Sequence, residues 1–113
     1  MIYHIADFKD WDKALNVGEY KPYNYQEVGF IHCANLRQLP AVAQRFYSHL
    51  PEILILHIVE KRIKGLIKHE IGKDIDEIFP HIYGPLPLYA IENVSIIDKI
   101  ENNEFDWQGW RFY

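Results

Sequence analysis

The chain is 113 residues long with a formal charge of −4, the size of one domain, because single domains cluster near about 100–150 residues. With 49% hydrophobic and 25% charged residues it is too apolar to be disordered, and its acidic balance excludes the broad basic footprint of non-specific nucleic-acid binding. The longest apolar run, Ile53 to Leu56, is far short of the roughly 20 residues that span a bilayer, Cys33 alone cannot form an internal disulfide, and with no secretion signal after Met1 the cytoplasm is the expected compartment.

Ile2 to Ile5 reads as a short strand. It stops at Asp7, a natural helix N-cap, after which Phe8, Trp11, Ala14 and Leu15 recur at helical spacing as far as Gly18, a residue suited to the C′ position. Glu19 to Glu27 carries Tyr20, Pro22, Tyr23 and Tyr25 without a helical or alternating period, which predicts an ordered loop held by its rings and well placed to meet a ligand. Val28 to Cys33 is predicted to be extended. Asn35 can cap a second helix whose apolar face is Leu39, Val42, Ala43, Phe46 and Tyr47, with Pro40 tolerated in the first turns.

Ile53 to Val59 has the length and β-branched content of a central strand, bounded by Pro51 and by Glu60-Lys61-Arg62. Leu66 to Ile71 is a further strand, Gly72 to Glu77 a polar turn, His81 to Tyr83 a short extended piece between prolines, and Ala90 to Ile97 a last strand. The order predicts one α+β domain over residues 1–113, with a split mixed or antiparallel sheet and two main helices. Residues 1–101 are expected to form its core and 102–113 an aromatic tail.

Aromatic residues make up 15% of the chain, more than a core of this size can absorb. Trp11, Phe46 and Phe79 are expected inside. Three histidines sit among apolar neighbours on extended segments: His4, His32 and His81. Imidazole is useful there because it donates one hydrogen bond and accepts another while neutral; the alternative is a core histidine bonded to a backbone carbonyl. No two histidines stand at the spacing that anchors zinc, and Cys33 diverges from the adjacent His32 in a strand, so no metal site is expected. The phosphate-cradling glycine motifs are missing, so a nucleotide would be held by side chains.

Nearly the whole chain resembles the small bacterial family catalogued as domain of unknown function 952. The likeness runs through Ile2-Tyr3-His4-Ile5, Trp11 with Ala14, Gly18-Glu19-Tyr20 with Pro22, Gly29-Phe30-Ile31-His32-Cys33, Arg45-Phe46-Tyr47, Glu70, and Phe79-Pro80-His81-Ile82-Tyr83-Gly84-Pro85-Leu86. It departs from the family pattern at Val28, where an acid is usual, and at Ala34, where a hydroxyl is usual. The resemblance implies an ADP-ribosyltransferase-like fold whose cleft holds NAD in active members. It implies a ribose contact for His4, nicotinamide stacking for Tyr20 or Tyr23, a third polar group at Glu70 or His81, and a phosphate or ribose contact for Tyr83, with His32 on the same cleft. Glu70 suits an oxocarbenium-like transition state, and Arg45 suits a pyrophosphate held bidentately.

Three readings follow: a transferase of ADP-ribosyl or phosphate groups using His4, Glu70 and His81 as catalytic residues; a non-catalytic module for a small nucleotide such as ADP-ribose; and a protein-interaction domain. The last draws on Phe105, Trp107, Trp110, Phe112 and Tyr113, which either fold back on the core or form a contact between copies in a homo-oligomer. No membrane partner is expected.

Overall fold

The computed structural model describes residues 1–113. Strand β1 (Ile2–Ala6) leads into helix α1 (Phe8–Val17), which starts where Asp7 Oδ1 accepts from the backbone N–H groups of Lys9 and Asp10. It ends at Gly18, whose φ of 97° lies in the left-handed region that glycine enters without cost. The tyrosine-rich segment is more regular than its sequence suggests: Glu19–Tyr20 is a two-residue strand, β2, and Tyr25–Val28 a single-turn helix, α2. The extended stretch expected from Val28 is correspondingly shorter, with only Ile31–His32 forming β3.

Asn35, expected to cap the next helix, instead closes the turn that precedes it, and the helix N-cap is Gln38. The Asn35 side chain accepts from the Gln38 N–H and its own N–H donates to Gln38 Oε1, a reciprocal pair of the capping-box kind. Helix α3 (Leu39–Tyr47) buries Leu39 and Ala43, whereas Phe46 is 44% exposed rather than internal. The strands β4 (Glu52–Ile58), β5 (Leu66–Ile71), β6 (Ile78–Tyr83), β7 (Leu86–Pro87), β8 (Ile91–Asp98) and β9 (Arg111–Phe112) complete the fold.

All strand pairs are antiparallel. One sheet has the order β1-β4-β8-β9, with the most apolar strand, β4, inside it; a second has the order β3-β6-β5; and β2 pairs with β7. The Tyr3–Ala34 bridge joins the first two. Alternation along β1 and β4 sends Ile2, His4, Ala6, Leu54, Leu56 and Ile58 to one side, against Trp11 and Ala14 of α1, Tyr20, Ile31 and Ile82. The other side, with Ile5, Ile53, Ile55 and Ile97, is covered by Leu39 and Ala43 of α3 and by Phe79 and Phe105.

The tail folds back on its own sheet. Phe105 is 5% exposed, β9 pairs with the edge of β8, and the Arg111 guanidinium grips Asp98 through two hydrogen bonds of 2.7 and 2.8 Å. No helix is long and apolar enough to cross a membrane.

Candidate functional site

The register of the three-stranded sheet brings polar side chains together in a way that linear spacing does not. His32 of β3 stands opposite His81 of β6, and His81 stands opposite Lys68 of β5. The two-residue period of a strand carries Glu70 and Tyr83 to the same face. Glu70 Oε1 accepts from His81 Nδ1 at 2.9 Å and from the Tyr83 hydroxyl at 2.6 Å. Because a carboxylate only accepts, the His81 proton must sit on Nδ1. No buried side-chain nitrogen or oxygen lacks a partner and Nδ1 carries the single His81 hydrogen bond, so Nε2 reaches solvent, although His81 as a whole is buried.

Rings build the walls. Phe30 stacks on His81 with centroids 4.0 Å apart and planes 18° from parallel. His32 meets His81 edge to face at 5.4 Å, and the Lys68 ammonium stands 4.9 Å from the centre of the Tyr83 ring. Hydrogen bonds from Tyr83 and then His81 hold the Glu70 carboxyl below the usual carboxylate range, and the same carboxylate pushes the Tyr83 phenol up. Desolvation first, and then the proximity of His81, lowers the His32 imidazole. Near neutral pH the face therefore holds an ionised Glu70, a neutral Tyr83 and a neutral His32.

His4 and Tyr20 are elsewhere. His4 is 6% exposed on the opposite side of β1 from Tyr3, within the core against α1. Its Nδ1–H donates to the His32 carbonyl and its Nε2 accepts from the Tyr20 hydroxyl at 2.8 Å. Burial lowers its pKa to about 4 and pushes the Tyr20 phenol up. With both nitrogens used and Tyr20 fully buried, neither side chain is free to touch a bound ribose or nicotinamide, and the NAD arrangement implied by resemblance lacks those two contacts here. His4 instead pins β1 to the backbone of the strand that carries His32.

The remaining candidates scatter. Tyr23 is 83% exposed, its backbone N–H donating to Asp10 Oδ2 at 3.0 Å. It helps line a hollow of about 340 Å³ beside α1, with Tyr25, Asp10 and Lys21. Arg45 is exposed in the last turn of α3, where a cation suits the helix dipole. Cys33 is buried and desolvation raises its thiol, which keeps it protonated and inert. No group of three or more His, Cys, Asp or Glu side chains stands close enough together to hold a metal ion.

The structure adds Phe30, Lys68 and Tyr25 to the face or its rim; the Gly84 N–H donates to the Tyr25 hydroxyl at 2.8 Å. Phe30 and Lys68 were readable in outline, each standing two residues from a candidate, on the same side of an extended segment. Tyr25 was legible as one ring of the tyrosine-rich loop expected to meet a ligand, but its partner Gly84, 59 residues away, was not.

The model of the family described as "Protein of unknown function (DUF952)" matches residues 5–94. The solved structure of protein CC0527 from Caulobacter crescentus is similar, at 22% identity with a TM-score of 0.81, the match covering 93% of this chain and 92% of that one. A double mutant of the same Caulobacter crescentus protein is similar at 22% identity with a TM-score of 0.80 over the same shares. Among curated proteins none matches. At that identity the likeness concerns the fold, a single antiparallel α+β domain. By the residues matched, this chain belongs to the DUF952 family.

Proposed function

We propose that the Glu70–His81–Tyr83 face binds a small phosphate-bearing nucleotide of the NAD or ADP-ribose class and transfers its ribosyl group, with His81 moving the proton. The observation that carries this reading is the shared Glu70 carboxylate, which fixes Nδ1–H of His81 at 2.9 Å and turns Nε2 to solvent. An imidazole oriented by a carboxylate is the usual form of a general base. His81 Nε2 takes the proton of an attacking hydroxyl as that oxygen bonds to the ribose C1′. The C1′–nitrogen bond breaks with its electron pair on the departing ring. The ionised Glu70 opposes the positive charge that develops on the sugar, and Lys68 and His32, on the same rung, suit a phosphate.

A second reading, binding without turnover, is favoured by the openness of this face. The Glu70 carboxyl is 38% exposed and Lys68 is exposed, so water reaches the rim of the cluster. Calorimetry with NAD and ADP-ribose, paired with chromatography for free nicotinamide, separates the two. Binding with nicotinamide release that His81→Gln abolishes supports transfer. Binding alone supports the module, and no heat with either ligand at millimolar concentration defeats both.

A further inference from the structure

On the side of the first sheet that carries Ile5 and Ile55, the tail, the start of α3 and two strands line an open hollow of about 410 Å³ formed by Tyr3, Leu36, Pro40, His57, Trp107 and Trp110. It shares no residue with the Glu70 face. We propose that this hollow is a binding site for a small organic cation carrying a quaternary ammonium group, of the choline class.

The rings stand as walls rather than as a stack. Tyr3 and His57, directly paired across β1 and β4, have centroids 5.2 Å apart at 69°. Trp110 closes on both, 6.3 Å from Tyr3 at 65° and 5.3 Å from His57 at 68°, and Trp107 stands 6.0 Å from Trp110 at 58°. Rings inclined in this way can serve as adjacent walls of one hollow, where a cation is attracted by several ring quadrupoles at once.

The walls are held in place. Trp110 Nε1–H donates to the Trp107 carbonyl at 2.6 Å, which spends the indole's one donor on the backbone. His57 Nε2 is 2.8 Å from Ser95 Oγ, which fixes that ring against the sheet. Desolvation lowers the His57 pKa while the Glu92 charge opposes it, so His57 is a neutral aromatic wall near pH 7. Glu92 owes its position to a register shift in which His57 pairs with Asn93 and Ile58 with Ile91, leaving Glu92 without a cross-strand partner.

Charge and hydrogen-bonding capacity select the occupant. No lysine, arginine, aspartate or glutamate lines the hollow, so no positive group competes for it and no carboxylate is present to receive N–H donors. A primary ammonium would find only the Tyr3 hydroxyl, the His57 ring and water to receive its three donors. A quaternary ammonium has none to satisfy. The Glu92 charge near the His57 wall and the −4 charge of the chain favour a cation over an anion. The volume lies within the range of small-molecule sites, about 300–1,000 Å³. Three of the four rings, Tyr3, Trp107 and Trp110, fall outside residues 5–94 that match the family model.

The test titrates the full chain with choline and with 3,3-dimethylbutan-1-ol, its neutral carbon isostere, following tryptophan fluorescence and the indole N–H resonances. Choline is expected to saturate and to bind about two- to fivefold tighter than the isostere, the margin of about 0.5–1 kcal/mol that a solvent-exposed cation–π contact provides. Trp107→Leu should remove most of that preference, and Trp107→Phe, which retains a ring should the leucine variant not fold, should weaken it. Equal binding of the two ligands, or no saturation by choline, overturns the proposal.

Discussion

His4 should make the stability of this protein fall steeply in mild acid. The imidazole is buried, with its Nε2 accepting from Tyr20 and its Nδ1–H spent on the His32 carbonyl, so burial lowers its pKa from 6.5 to about 4. Above pH 6.5 the native and unfolded chains both hold a neutral His4, and the group does not bias the equilibrium. Below that value the unfolded chain binds a proton that the native chain refuses until about pH 4, so stability drops by about 1.4 kcal/mol per pH unit across the interval. The loss from this one residue is about 3 kcal/mol, set against total stabilities of about 5–15 kcal/mol for domains in general. Urea unfolding of the wild type and of His4→Gln at about pH 7, 6, 5 and 4 measures it. Glutamine can keep both hydrogen bonds while carrying no titratable group. His57, whose value is also lowered, contributes equally to both proteins and cancels in the difference. The stability difference between wild type and variant should therefore change by about 3 kcal/mol, to the disadvantage of the wild type, as the pH falls from about 7 to about 4. Parallel stability curves would show that His4 is not held neutral, and the reasoning from its burial would fail.

Tyr20→Phe should cost about 1–3 kcal/mol at neutral pH, because the buried His4 Nε2 loses its donor; an unchanged urea midpoint would count against the pairing. Phe105→Ala should destabilise by about 3–5 kcal/mol, since Phe105 is 5% exposed within the cluster against α3; a loss below about 1 kcal/mol would mean that the tail is not part of the core. Glu70→Gln replaces the carboxylate that accepts from the Tyr83 hydroxyl, and pushes that phenol up, with a neutral amide. The Tyr83 phenol should then ionise at lower pH, read from its ring resonances by NMR, and an unchanged ionisation would separate Tyr83 from Glu70. Gly29→Ala should cost about 1–2 kcal/mol through backbone strain alone, because φ is 89° and no atom lies within 4 Å of the added methyl; a neutral result in thermal unfolding would contradict the left-handed turn that ends α2.

The sequence by itself determined the elements whose signals are local. Asp7 and Gly18 bracket α1 because a cap side chain and a left-handed C′ residue act within one turn. The apolar run from Ile53 implied the interior strand β4 because burial on both faces needs no partner to be legible. Glu70, His81 and Tyr83 could be named as polar groups on strands, and the family resemblance supplied a reason to name them. Only the tertiary structure decided which of them meet. Strand register is a long-range property, and the pairing of His32 with His81 and of His81 with Lys68 builds the polar face. The same long-range pairing sent His4 and Tyr20 to the core, where their hydrogen bonds hold β1 to β3's backbone, and folded Trp107 and Trp110 over Tyr3 and His57. A histidine in an apolar strand reads the same whether it faces a cleft or a core; what separates the two is the partner atom, which for His4 lies 16 residues away at Tyr20 and 28 away at His32.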